Sequence, residues 1–191
     1  ELVEMRARAE EAEKEIGRLH SELAMASELV RQDQLTGALN RKGLEEALDR
    51  ELARSRRRES PLCLALLDID NFKRLNDTYG HQTGDNALVH LAKVIRETLR
   101  PQDTVARYGG EEFVILLSET KIKDGVNVIQ RLQRELTKRF FLHNNERVLI
   151  TFSAGIAEFA EGEERDAALA RADAAMYRAQ AEGRNRVLSA G

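Results

Sequence analysis

The chain has no tryptophan, one cysteine and two prolines, and only 5% of its residues are aromatic. A lone cysteine excludes an internal disulfide framework and fits a reducing compartment. Cys63 sits inside the apolar run from Leu62 to Leu67 and is expected to be a small buried hydrophobe. The apolar runs fall far short of the roughly 20 residues that a membrane-spanning helix needs. The charged N-terminus does not have the form of a signal peptide. Neither sign of charge dominates: 30 Lys and Arg against 33 Asp and Glu leave a formal charge of -3. General attraction to a nucleic acid polymer or to an anionic membrane is thereby excluded. These residues are expected in the cytoplasm. A chain that opens mid-helix at Glu1 without a methionine is also expected to continue upstream, where a membrane anchor could lie.

What is present is enough apolar material for one core: 42% of 191 residues are hydrophobic, which supports a single domain plus an appendage. Residues 1–32 read as the appendage. They carry no proline and a heptad repeat, with Leu2, Ala9, Ile16, Leu23 and Val30 at one seam position and Met5, Ala12, Leu19 and Ala26 at the other. So narrow a seam suits a partner helix better than a broad core face. A parallel homodimer through residues 1–31 would bring Glu1 toward Arg6 and Arg8 toward Glu13, both attractive. The small Ala9, Ala12 and Ala26 predict a modest zipper. A helix packed on its own domain is the other reading of the same stripe.

The heptads stop at Asp33, Thr36-Gly37 breaks the helix, and Asn40 can cap the next one, so residues 33–191 form the second unit. A helix is expected from Arg41 to Arg58, ended by Pro61, then a buried strand from Leu62 to Asp68. A short helical turn over Phe72 to Tyr79 precedes an amphipathic helix beginning near Gly84. Thr104 to Tyr108 and Glu112 to Leu117 read as a hairpin, with Gly109-Gly110 supplying the positive φ angles of a tight primed turn. A helix over Ile122 to Leu136, a strand over Val148 to Ala157 and a last helix around Leu169 to Ala179 complete the order. The fold class expected is α/β (α+β): a ferredoxin-like βαββαβ palm-type core with added helices, preceded by a long N-terminal helix.

Two acidic segments could carry chemistry. Asp68-Ile69-Asp70 ends the apolar strand, where carboxylates suit Mg²⁺, although Asp70 could equally cap the helix that follows. Glu111 and Glu112 follow the glycine pair, and a ferredoxin-like sheet would set Glu111 opposite Asp68, so that the acids converge on metal ions. By spacing alone an ordinary exposed Gly-Gly hairpin fits as well. His20, His81, His90 and His143 show no metal-ligand spacing and read as structural, and Met25 and Met176 as helix packing.

Gly109-Gly110-Glu111-Glu112-Phe113 resembles the GG(D/E)EF signature of the diguanylate cyclases. The segments from Asp33 to Arg41, from Asp68 to His81 and from Gly183 to Val187 resemble that family's opening, nucleotide-binding and closing motifs, so the likeness covers residues 33–191. It implies an enzyme that condenses two GTP into cyclic di-GMP and two pyrophosphates across a pair of domains. The resemblance makes Asp68, the Ile69 carbonyl and Glu111 ligands of Mg²⁺ (or Mn²⁺), with Glu112 close to the metals and Glu111 assisting deprotonation of the ribose 3′-hydroxyl. Asn76 and Asp85 become guanine contacts, since a carboxylate accepts from the N1–H and N2–H that adenine lacks; Asp85 could also be an N-cap after Gly84. Phe72, Lys73 and Arg184 become triphosphate contacts. Arg100 and Asp103 resemble the RxxD site at which cyclic di-GMP inhibits, with Arg131 completing it; a plain helix end at Pro101 is the other reading. One departure stands out: Gln180 occupies the place of a phosphate-contacting Lys. It supports an alternative in which the chain is a catalytically silent module that binds GTP or cyclic di-GMP. An upstream sensor acting through the stalk is the regulatory partner expected.

Overall fold

The computed structural model describes residues 2–191. The stalk is one helix, α1 (Leu2–Arg31), and none of its residues is buried. The seam residues Ile16, Leu19 and Leu23 are 53, 50 and 67% exposed, so the stripe does not fold back on its own domain. Met25, expected as packing, is 64% exposed because it lies on the same free helix. The pairing expected for Glu1 lies outside the described residues.

Only the last turn of α1 meets the second unit. Asn40 Nδ2 donates to Val30 O at 2.6 Å, and Arg31 pairs with Glu46. The next helix, α2 (Arg41–Arg58), is capped as expected, with Asn40 Oδ1 accepting from Gly43 N at 3.0 Å. Then follow β1 (Leu62–Ile69), α3 (Phe72–Tyr79), α4 (His81–Thr98), β2 (Thr104–Arg107), β3 (Glu112–Ser118) and α5 (Ile122–Lys138). A small hairpin, β4 (Phe141–His143) and β5 (Glu146–Val148), leads into β6 (Phe152–Glu158), α6 (Arg165–Ala181) and β7 (Val187–Ser189).

The main sheet runs β2-β3-β1-β6-β7, antiparallel except for the β6–β7 edge. Its first four strands have the ferredoxin-like order. Side chains alternate across a strand, so Cys63, Ala65, Leu67 and Ile69 of β1 pack with α4 and α5. Leu64 and Leu66 pack with α2 and α6 on the other face. Both faces are covered, which is why β1 is continuously apolar. Gly155 of β6 lets α6 approach: a Cβ there would strike the Ala172 carbonyl and Met176 N. Met176 is accordingly core, and Cys63 is fully buried.

Three local expectations are corrected. The strand expected over Val148 to Ala157 is two pieces, because Val148 belongs to the β4–β5 hairpin. Its Asn144 and Asn145, at φ 48 and 64, supply the primed turn. Gly109 and Gly110 are not in the positive-φ region; their segment is a wider loop in which Tyr108 N and Gly109 N both donate to Glu112 O, at 2.8 and 3.4 Å. Finally, α4 begins at His81, not near Gly84, so Asp85 stands within the helix and is no N-cap.

Candidate active site

The site lies at the end of the β1–β3 ladder. In the antiparallel register it is Glu112, not Glu111 as expected, that stands opposite Asp68, because Glu111 lies one residue before β3, where its carbonyl accepts from Ile69 N at 3.3 Å. Asp68, Glu111 and Glu112 are therefore gathered at one sheet end by backbone pairing. Burial pushes the Asp68 carboxyl up to about 7, with the negative charges of Glu111, Glu112 and Asp70 adding to it. Burial also raises Glu112, helped by Asp173 and Glu111 and opposed by Arg41. Gly109 makes room for this: a Cβ there would lie 2.7 Å from Glu112 Oε2. Asp68 and Glu112 line a cleft of about 630 Å³ with Asp173, Met176, Tyr177 and Gln180 of α6. That is the volume range of small-molecule sites.

Among the described residues, no three His, Cys, Asp or Glu side chains stand close enough to enclose a metal ion by themselves. Mg²⁺ commonly takes one or two carboxylates and fills its shell with water and substrate phosphates. Partly buried carboxylates that repel one another, as Asp68, Glu111 and Glu112 do, are a donor set that a divalent cation relieves. The residues present fit such an ion.

Asp70 is not part of that set. It accepts from Thr151 Oγ1 at 2.7 Å, Ser153 Oγ at 2.6 Å and Asn185 N at 3.0 Å. Nor does it cap α3, whose N-cap is Asn71, in the left-handed region at φ 54. Asp70 instead ties β6 and the closing loop to the end of β1. That tie brings Arg184 (φ 66) to the same end of the molecule. Phe72 and Lys73 open α3 there, and the first N–H groups of a helix have no acceptor within it.

Asn76 and Gly84 meet at the α3–α4 corner. Asn76 Oδ1 is, among the described residues, a buried side-chain oxygen without a hydrogen-bond partner. It rests against Gly84, where a Cβ would collide with it. Asp85 is exposed on the second turn of α4.

The far end of β3 carries the other predicted cluster. Arg100 Nη2 donates to Asp103 Oδ1 at 3.1 Å and to Ser118 O at 2.8 Å, and Arg131 Nη2 donates to Thr98 O at 3.2 Å. The turn after α4 thus pairs Arg100 with Asp103, and Arg131 of α5 reaches the last residue of α4, about 20 Å from Glu112 by the length of a strand of this size.

Sequence reasoning missed Asp173 and Tyr177. Their spacing with Gln180 puts all three on one helical face, which was the available signal. It also missed Arg107, whose Nε and Nη2 hold Gly110 O at 3.2 and 2.8 Å.

Comparison with known proteins agrees with this geometry. The family model described as "Diguanylate cyclase, GGDEF domain" matches residues 30–186. The diguanylate cyclase DgcP of Pseudomonas aeruginosa is 42% identical over 180 residues, covering 94% of this chain and 27% of that protein. The chain thus spans about a quarter of that curated relative. The solved structure of the coiled coil and GGDEF domain of DgcB from Caulobacter crescentus, in complex with c-di-GMP, is 35% identical with a TM-score of 0.90. It covers 97% of this chain and 99% of that one. The active GGEEF domain of a diguanylate cyclase from Vibrio cholerae is 33% identical with a TM-score of 0.74, covering 83% and 99%.

Proposed function

Because the chain belongs to the GGDEF-domain family of diguanylate cyclases, we propose that it condenses two GTP into cyclic di-GMP and two pyrophosphates. The observation that carries the reading is the meeting of Asp68, Glu111 and Glu112 at one end of the β1–β3 ladder. An ordinary exposed hairpin would leave these acids solvated and apart.

Asp68, the Ile69 carbonyl and Glu111 would hold Mg²⁺ or Mn²⁺, with Glu112 beside them. The ion would neutralise the triphosphate and make the 3′-hydroxyl easier to ionise. Glu111 takes the proton of that hydroxyl, whose oxygen attacks the α-phosphate of the second GTP; the bond to pyrophosphate breaks. The same step in the opposite direction closes the ring, so two domains are required, each with one GTP. Asp85 accepts from guanine N1–H and N2–H, and the Asn76 amide adds a second contact. An adenine leaves these groups unpaired, which is the costlier fault. Lys73, Arg184 and the N–H groups near Phe72 hold the triphosphate. Residues 1–32 act as a coiled-coil stalk that pairs two 33–191 units and raises their effective concentration. An upstream sensor would act by changing that pairing, and the catalytic unit works in the cytoplasm, where GTP is. Cyclic di-GMP bound at Arg100, Asp103 and Arg131 would inhibit, since Arg can pair bidentately with guanine O6 and N7.

Incubation with GTP and Mg²⁺ should yield cyclic di-GMP, ATP should yield nothing, and Glu111→Ala should abolish the product. Arg100→Ala should leave initial turnover intact and relieve inhibition by added cyclic di-GMP. Gln180, on the cleft wall without a charge, favours one second reading: a silent module that binds nucleotide. GTP binding without product at high protein concentration would select it.

A further inference from the structure

The α3–α4 corner is held by an element outside every family motif. Helix α3 ends at Tyr79, Gly80 turns the chain at φ 92, and α4 starts at His81. Asn76 lies on one helix and Asp85 on the other, so the separation of their polar groups depends on the angle between the two. The backbone bonds at the corner, Gly80 N to Asn76 O at 2.8 Å and Gly84 N to Gly80 O at 3.2 Å, are local to the turn. They do not by themselves fix that angle.

His143 does. Thr83 Oγ1 donates to Tyr79 O at 3.1 Å and lies 2.9 Å from His143 Nδ1. With its one hydrogen assigned to the Tyr79 carbonyl, the hydroxyl accepts from the imidazole Nδ1–H. That tautomer leaves Nε2 to accept from Asn144 Nδ2, 3.2 Å away. The same ring packs on Tyr79, with centroids 5.0 Å apart and planes inclined at 56°. One imidazole therefore touches the last residue of α3 and the first turn of α4. Thr83 is only 5% exposed, so water is poorly placed to replace the ring. His143 is delivered by the β4–β5 hairpin, a separate two-stranded sheet that contributes no strand to the main one.

We propose, on the reading of Asn76 and Asp85 as base contacts, that His143 is a positioning residue for base recognition. The β4–β5 hairpin uses it to lock α3 against α4 and to hold Asn76 and Asp85 at the separation a guanine edge requires. A corner already ordered costs less to fix on binding, so the effect falls on affinity and base choice. The reaction at Glu111 is a separate matter, at the end of the main sheet.

The test uses the whole chain with His143→Ala, His143→Asn and Thr83→Val. Affinity is measured calorimetrically for 3′-deoxy-GTP, which cannot react, and for 3′-deoxy-ITP, which lacks the guanine N2 amine; kcat with GTP and melting temperature are measured beside it. His143→Ala is expected to weaken 3′-deoxy-GTP binding about fivefold, the weight of one hydrogen bond, and to narrow the preference over 3′-deoxy-ITP. The kcat at saturating GTP should stay within about twofold, since interactions equal in ground and transition states do not alter it. His143→Asn keeps a donor nitrogen near the Nδ1 position and should recover most of the affinity; Thr83→Val should resemble His143→Ala. Unchanged affinity and preference in His143→Ala and Thr83→Val, or a loss confined to kcat, overturns the proposal. Should His143→Ala unfold, Thr83→Val and His143→Asn decide. Asn76→Ala and Asp85→Ala separate the two readings: if neither alters guanine preference, the base site itself is misassigned. If they alter it and the His143 and Thr83 variants do not, the positioning role alone falls.

Discussion

Arg107 joins Asp33 to the loop that carries Glu111: its Nη1 lies 3.1 Å from Asp33 Oδ1, while its Nε and Nη2 grip Gly110 O. Asp33 is fixed in turn by Thr36, whose N and Oγ1 donate to Oδ2 at 2.9 and 2.6 Å. The segment just after the stalk is thus tied to the active loop by one guanidinium. Burial works to raise the Asp33 carboxyl, but the Thr36 hydrogen bonds and the Arg107 charge outweigh it and hold the carboxyl below its usual range. A depressed carboxyl stabilises the fold above the unfolded value of about 4 and loses that contribution as pH falls through the folded one. Asp33→Asn should therefore cost about 1 kcal/mol at pH 7 and flatten the acid limb of stability. Denaturant unfolding from pH 7 to pH 3 measures both.

Asp68 has the opposite sign. Its folded carboxyl holds a proton up to about 7, so its contribution favours folding below about pH 4 and is lost as pH rises toward neutrality. In metal-free buffer at pH 8, Asp68→Asn should be more stable than the parent by about 1 kcal/mol after solvent screening. It should also be inactive. A variant that is both less stable and inactive would remove Asp68 from the repelling cluster.

Gly84→Ala tests the base corner by size. In a helix interior alanine is favoured over glycine by about 1 kcal/mol, yet a Cβ here would collide with the Asn76 amide. The affinity for GTP should drop about tenfold or more, as for a site pushed out of register, with little change in melting temperature.

The stalk is a question of concentration. Ile16→Lys with Leu23→Lys places charge in the exposed seam and should leave the 33–191 unit folded. Specific activity should then fall on dilution while the parent's holds, with sedimentation reporting a monomer. Activity unchanged on dilution would show that the catalytic units pair without the seam.

Gln180→Lys adds a cation to the wall shared with Asp68 and Glu112. Its expected effect is a severalfold lower KM for GTP, because an ammonium attracts a triphosphate more strongly than an amide does. A parent that makes no product and a Lys variant that does would make Gln180 the residue that silences the site.

The helical stalk and the alternation that buries β1 were legible because each rests on a local rule, whereas the meeting of Asp68 with the acids of β3 was expected only from the assumed sheet topology, one residue out of the register that forms. Heptad spacing, an unbroken apolar strand and a two-strand hairpin leave periodic traces in the chain. The glycine pair was misread for the same reason: Gly-Gly commonly makes a primed turn, but here the space serves the Glu112 carboxylate, while Asn144-Asn145 makes the primed turn. Asp70 was open between a cap and a ligand, since both are short-range roles. Its actual partners, Thr151, Ser153 and Asn185, arrive from other segments.

The sequence by itself determined the long helices and the central strands and which face of each is apolar, because propensity, capping and periodicity act over a few residues, while the short β4, β5 and β7 carry too few residues to show a period. Only the tertiary structure decided which polar groups meet. The pairings of Arg107 with Asp33, Asp70 with Thr151 and Ser153, and His143 with Thr83 close over 74, 81, 83 and 60 residues. A contact of that range has no period, and it exists only once the sheet has set its register.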